Sequence, residues 1–144
     1  MLIELMTLAA IYLLLTKKKA DCIGTPGVYF TWDELTTTNQ AAPNNPSGPQ
    51  CSNLKRLTHD ILDPLRFATG APIYVNSAFR SNALNNLLIA RGYPAAHNSL
   101  HLAGKAADIR SNKYTPAELR QIILDRGIPH GELIVNQDYL HVSL

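Results

Sequence analysis

Two histidines and one aspartate, widely separated in the chain, constrain the fold more than any other feature. His101 and Asp108 lie seven residues apart with glycine and alanine between them, and His141 lies near the end of the sequence. Two imidazoles and one carboxylate suit a zinc ion with three protein ligands and a fourth position for water. If the three side chains bind one ion, the end of the chain must fold back beside residues 101–108.

A catalytic zinc site also needs a carboxylate that does not bind the metal and that takes the proton from the bound water. Asp138, three residues before His141, is the first candidate for this base. Glu132 is the alternative, because it shares one face of a predicted strand with Ile134 and Asn136. We therefore predict Asp138 as the catalytic residue and keep Glu132 as the second choice.

Four motifs along the chain match one known family. Residues 99–108 read S-x-H-x-x-G-x-A-x-D, residues 138–143 read D-x-x-H-V-S, residues 77–81 read S-A-F-R-S, and residues 30–35 read F-T-W-D-E-L. Through these motifs, residues 28–144 resemble the zinc D-Ala-D-Ala carboxypeptidase family of peptidoglycan peptidases, including phage endolysins, and in particular its small, phage-associated branch. The resemblance implies an α+β fold with a small antiparallel sheet flanked by helices, as in DD-peptidase/Hedgehog-like zinc peptidases.

The resemblance also implies an activity, which is the zinc-dependent hydrolysis of peptidoglycan stem peptides by carboxypeptidase or endolysin-type endopeptidase action. It implies His101, Asp108 and His141 as metal ligands and the aspartate of D-x-x-H as the base. Some relatives instead carry a glutamate in the strand before the last ligand, where this chain has Asn136. Because asparagine cannot accept that proton, the alternative is a catalytically inactive, zinc-bearing peptidoglycan-binding or structural protein.

Two further residues are candidates for substrate binding. Arg80 follows a predicted strand, and its guanidinium could hold a substrate carboxylate in a bidentate pair. An ordinary salt bridge is the alternative for Arg80. Ser99 could hydrogen-bond the substrate or orient His101. For Asp108, the alternative to metal binding is a structural capping role.

Composition sets the number of domains and argues against one class of partner. The chain has 144 residues, of which 46% are hydrophobic, enough for one domain with its own core. The net charge is +2 and the sequence pI is about 8.6. No basic stripe interleaved with aromatic residues is present, so we predict no binding to nucleic acid. We expect the protein to act at the bacterial cell wall or in the periplasm, and the oligomeric state stays open.

Two cysteines, Cys22 and Cys51, lie outside the motifs. They could close one disulfide in an oxidising compartment. We favour two free thiols, as expected for a protein made inside the cell. Their spacing is not that of a C-x-x-C metal or redox site.

The N-terminal segment differs in composition from the rest of the chain. Residues 1–19 are an apolar run followed by three lysines, and residues 20–27 resemble a linker with Gly24, Pro26 and Gly27 as breakers. The run is short for a spanning helix, and its lysines follow the apolar stretch rather than precede it as in a secretory signal. A membrane anchor, an atypical export signal and a helix docked on a partner are all compatible with it. Residues 28–144 are the predicted zinc peptidase domain.

Hydrophobic periodicity and turn residues predict the elements that carry these motifs. Pro64 should kink or divide the first long helix. Two other histidines, His59 on that helix and His97 in a loop, are not expected to bind the metal. We predict helices over residues 52–68, 83–91 and 115–125, strands over residues 72–77, 105–110, 132–135 and 139–144, and a loop over residues 36–50.

Overall fold

The structure, a computed structural model, describes residues 22–144. The expectations for residues 1–19, and for the first residues of the linker, lie outside the described residues. Among residues 22–144, no helix is both long enough and apolar enough to cross a membrane.

A four-stranded antiparallel sheet forms the centre of the fold. Its strands are β1 (Tyr74–Ser77), β2 (Ala106–Arg110), β3 (Leu133–Val135) and β4 (Leu140–Ser143), and their spatial order is β1-β2-β4-β3. The strands predicted over residues 132–135 and 139–144 are present as β3 and β4, which pair as a hairpin, and β4 lies between β3 and β2. With helices packed around this sheet, the predicted α+β class is confirmed.

Capping residues explain where the helices begin. Capping boxes start α1 (Trp32–Leu35) at Thr31 and α5 (Pro116–Asp125) at Thr115, and Ser81 caps α4 (Asn82–Ala90). The helix expected from residue 52 begins four residues earlier, as α2 (Gly48–Leu57), because Ser47 and Gln50 form a third capping box. Glycine and proline at its first turn made this stretch resemble a loop.

Pro64 disturbs the long helix, as predicted. A π-helical turn over Thr58–Leu62 follows α2, and α3 (Asp63–Thr69) then begins with Pro64 in its first turn. Proline has no N–H to donate, and its ring clashes with the carbonyl four residues earlier, so the ladder changes register at this point.

The period of two along the strands separates a core face from a polar face. Leu140 and Val142 of β4 and Ile109 of β2 are fully buried and pack on the helices. The alternate residues, Asp108 and His141, therefore project from the opposite face of the sheet. The helical side of the core contains fully buried residues of α2, the π-helical turn, α3 and α5: Leu54, Leu57, Ile61, Leu62, Leu65, Leu119 and Ile123.

Cys22 and Cys51 form a disulfide that ties the start of the described chain to α2. The preference for free thiols was therefore wrong. Pairing depends on two Cα atoms coming within 5.3 Å across a separation of 29 residues, and no local pattern in the sequence reports such a contact.

Reduction of this disulfide should lower the free energy of unfolding by about 3 kcal/mol, because the unfolded chain regains the freedom that the cross-link removes. Guanidinium unfolding with and without a reductant measures the change. The double variant Cys22→Ser/Cys51→Ser is the control and should not respond to the reductant. Two titratable thiols in the unfolded, unreduced wild-type protein would contradict the pairing.

Candidate metal centre

Neighbouring strands bring the three predicted ligands together. Asp108 lies directly opposite His141 in the register of β2 with β4. His101 lies on a 3-10 turn, Leu100–Ala103, that leads into β2. One potential ligand atom from each of the three side chains lies within 4.8 Å of the other two. The hypothesis that these distant residues share one site thus agrees with the geometry of the described chain.

Asp108 is the centre of this cluster. Its Oδ1 lies 2.8 Å from His141 Nδ1 and 3.4 Å from His101 Nε2. Burial alone would raise the pKa of Asp108, but hydrogen bonds from His101 and His141 outweigh burial and hold the pKa far below its usual range. The same hydrogen bond to Asp108 raises the pKa of His141. The carboxylate is therefore ionised and ready to bind a cation.

Each ligand is also held by a group outside the cluster. Nδ1 of His101 donates to the carbonyl of Ala78 (2.6 Å), which turns Nε2 toward Asp108. Nη2 of Arg80 donates to Asp108 Oδ2 (3.3 Å). Nε2 of His141 lies 3.1 Å from a carboxylate oxygen of Glu132. Partners of this kind fix the orientation and tautomer of metal-binding side chains.

The donor set fits a catalytic zinc ion. Two imidazole nitrogens and one carboxylate oxygen converge, as in zinc sites that keep a position for water. Because zinc binds these atoms at about 2 Å, ligand atoms of one ion lie within about 4 Å of one another. Small side-chain movements would bring the cluster to that geometry.

Residues 77–81 and the turn of His101 are joined directly. The backbone N–H of Arg80 donates to the carbonyl of His101 (3.1 Å). Oγ of Ser99 accepts the N–H of His101 (3.2 Å) and so caps the turn. This contact matches the second of the two roles considered for Ser99, the orientation of His101. Arg80 forms the ion pair considered as its alternative, and it also lines a cleft.

This cleft, of about 330 Å³, lies between β1 and the polar loop after α1. Arg80 lines it together with residues 37–40, residues 75–77 and two leucines of α4, Leu84 and Leu88. Among residues 22–144, Arg80 is the one charged residue that lines it. Its wall is otherwise a mixture of hydroxyl, amide and aliphatic groups.

Asn44 holds this loop in place and was missed by the sequence analysis. Its amide donates to the carbonyls of Thr36 (3.0 Å) and Phe79 (2.9 Å), and its oxygen accepts the N–H of Ser81 (2.7 Å). The side chain is buried although it lies in a polar loop. An asparagine among Asn, Pro and Gly residues carries no local signal of such a role.

The two carboxylates considered as the base occupy different positions. Asp138 is exposed in the turn between β3 and β4, three residues before His141. Glu132 precedes β3 and contacts His141 directly. The neighbour of Asp138, Tyr139, interacts electrostatically with both Asp108 and Arg80, although burial is the main cause that raises its pKa. The turn therefore lies beside the cluster.

Of the other histidines, His59 is exposed and pairs with Asp60.

Comparison with known proteins identifies a family that the chain matches. The family model described as Peptidase M15 matches residues 28–143, which include the whole cluster. No curated protein matches the chain. Among solved structures, the L-Ala D-Glu endopeptidase ChiX of Serratia marcescens is similar, with 22% sequence identity and a TM-score of 0.45. That alignment covers 67% of this chain and 86% of ChiX.

Gly104, which ends the turn of His101, should not tolerate a side chain. Its φ is +70°, and a Cβ would lie 2.8 Å from the Gln50 carbonyl oxygen and 3.0 Å from Leu54 Cγ. Gly104→Ala should therefore lower the free energy of unfolding by at least about 2 kcal/mol, through backbone strain and overpacking on α2. Urea unfolding measures the loss. Gly48→Ala, where nothing lies within 4 Å, is the control, and an equal loss in both variants would contradict the argument.

Proposed function

Because the chain belongs to the peptidase M15 family, we propose that it is a zinc-dependent peptidase that hydrolyses peptidoglycan stem peptides. The observation that carries the proposal is the convergence of His101, Asp108 and His141 in one cluster. These three residues are the proposed zinc ligands. The family match includes all of them, and their donor atoms are the ones that catalytic zinc uses.

The proposed chemistry divides between the metal and the chain. When bound, zinc polarises the scissile carbonyl and lowers the pKa of a water molecule. The remaining steps are proton transfers and orientation by side chains. Asp138 accepts the proton of the attacking water and passes it to the leaving amine. Its support is its place in D-x-x-H and in a turn beside the cluster.

Substrate binding is proposed for Arg80 and Ser99. The guanidinium of Arg80 has five N–H donors, and its contacts with Ser77 and Asp108 engage Nε and Nη2. Its place in the wall of the cleft leaves it able to hold a peptide carboxylate or carbonyl with the rest. The hydroxyl of Ser99 accepts a bond from His101, and no acceptor for its own hydrogen lies among the described residues, so it can donate to the substrate.

A second candidate function is a zinc-bearing protein that binds peptidoglycan without cleaving it. Asn136 favours this reading, because it stands where some relatives carry a glutamate. The two functions differ in one result, which is turnover. Mass spectrometry of a defined muropeptide mixture would also distinguish loss of a terminal D-Ala from cleavage within the stem peptide.

The purified protein should bind one zinc ion per chain and release new stem-peptide products from defined muropeptides. His101→Ala, Asp108→Ala and His141→Ala should each lose zinc and products together, because three ligands leave no spare one. Zinc content is measured by elemental analysis and products by mass spectrometry. His59→Ala, which changes an exposed histidine outside the cluster, is the control and should keep both.

Two results would contradict this assignment. Unchanged zinc content in all three ligand variants would remove the metal site. Full zinc occupancy in the wild-type protein with no product from any muropeptide would favour the binding protein instead.

Asp138→Asn should keep zinc and lower kcat by about 10²- to 10⁴-fold, since the amide cannot accept the proton of the attacking water. Steady-state kinetics on the best muropeptide substrate measure the loss. Asp125→Asn, a carboxylate at the far end of α5, is the control. A variant at Asp138 with wild-type kcat would remove it from the mechanism and leave Glu132 as the candidate base.

A further inference from the structure

His141 lies between two carboxylates, one on each side of its ring. Nδ1 lies 2.8 Å from Asp108 Oδ1, on the side where His101 also converges. Nε2 lies 3.1 Å from Glu132 Oε2, away from that cluster. The two ring nitrogens thus have different surroundings, and only Nδ1 faces the other ligands.

A neutral imidazole has one N–H and one lone pair, so the partner of one nitrogen decides what the other can do. A carboxylate that accepts the Nε2 hydrogen leaves the lone pair on Nδ1, where a metal ion can use it. We propose that Glu132 is a positioning residue: once a metal ion takes the place of the hydrogen that Nδ1 shares with Asp108, Glu132 holds His141 in the Nε2–H tautomer, with Nδ1 toward the metal. This inference rests on the metal site of the proposed function.

The backbone fixes Glu132 in this place. Its N–H donates to Oγ of Ser143 (2.8 Å), and its carbonyl accepts the N–H of Ser143 (3.1 Å). The N–H of the preceding Gly131 donates to the carbonyl of Ser143 (2.7 Å). A Cβ at Gly131 would lie 2.5 Å from the Leu144 carbonyl oxygen, so the two segments pack without space for a side chain there. The backbone of Glu132 is therefore anchored to Ser143, which lies two residues after His141 in β4.

The same geometry distinguishes positioning from base catalysis. A base must reach a water molecule bound by the metal, and the metal would lie on the Nδ1 side of His141, where the other two ligands converge. The carboxylate of Glu132 instead contacts the opposite nitrogen. Its side chain is 54% exposed, so its removal should open no cavity in the core. Glu132 and Asp138 then have separate roles, and their variants should fail in different measurements.

The test measures zinc affinity by competition with a chelator, in the full-length protein, for wild type, Glu132→Ala, Glu132→Gln and Asp138→Asn. Glu132→Ala should weaken zinc binding by about 10- to 100-fold, as for other outer partners of metal ligands. Glu132→Gln should recover most of the loss, because its amide oxygen can still accept the Nε2 hydrogen. Asp138→Asn should bind zinc as the wild type does. Nitrogen NMR of zinc-loaded wild type should show the Nε2–H tautomer at His141.

Three results would overturn the inference, and each differs from failure of the proposed function. Wild-type zinc affinity in Glu132→Ala, with the fold intact by circular dichroism, would show that Glu132 does not position His141. An Nδ1–H tautomer in the zinc-loaded protein would show the same. Loss of kcat in Glu132→Gln at unchanged zinc affinity would make Glu132 the base. If the wild-type protein binds no zinc at all, the proposed function fails first and this inference fails with it.

Discussion

The pairing of β2 with β4 is the constraint on which the rest of the structure depends. In this antiparallel register Asp108 lies opposite His141, while Ile109 lies opposite Leu140. The first pair faces the site and the second faces the core. A slip of one residue in this register would turn His141 into the core and Leu140 away from it. The cluster and the core packing would then both be lost. The burial that stabilises the sheet therefore also determines which side chains meet at the cluster.

The cluster carries a buried negative charge, and its neighbours make that charge tolerable. The side chain of Asp108 is only 10% exposed, and a buried carboxylate without partners would cost several kcal/mol. Arg80 contacts one of its oxygens, and the two imidazoles contact the other. The S-A-F-R-S segment supplies both this arginine and the carbonyl of Ala78 that orients His101. The motif therefore has a structural role beside the cluster, in addition to its proposed role with substrate.

Local patterns in the sequence predicted the strands, the break at Pro64 and the three clustered residues, because each depends on residue type and spacing along the chain. The disulfide between Cys22 and Cys51 and the anchoring role of Asn44 were not predicted, because both depend on contacts between distant segments. The early start of α2 was missed because Gly, Pro and Ser are typical of loops and of helix starts alike. Glu132 was the second candidate base because of the strand face predicted for it. Its contact with a particular nitrogen of His141 could come only from the three-dimensional arrangement.

X-ray absorption at the zinc edge of the loaded wild-type protein tests the central claim most directly, since it reports the atoms around the ion. This account predicts a shell of nitrogen and oxygen atoms at about 2.0–2.1 Å, with the outer scattering of two imidazoles. A shell that contains sulfur, or that shows no more than one imidazole, would contradict the claim that His101, Asp108 and His141 hold the metal together.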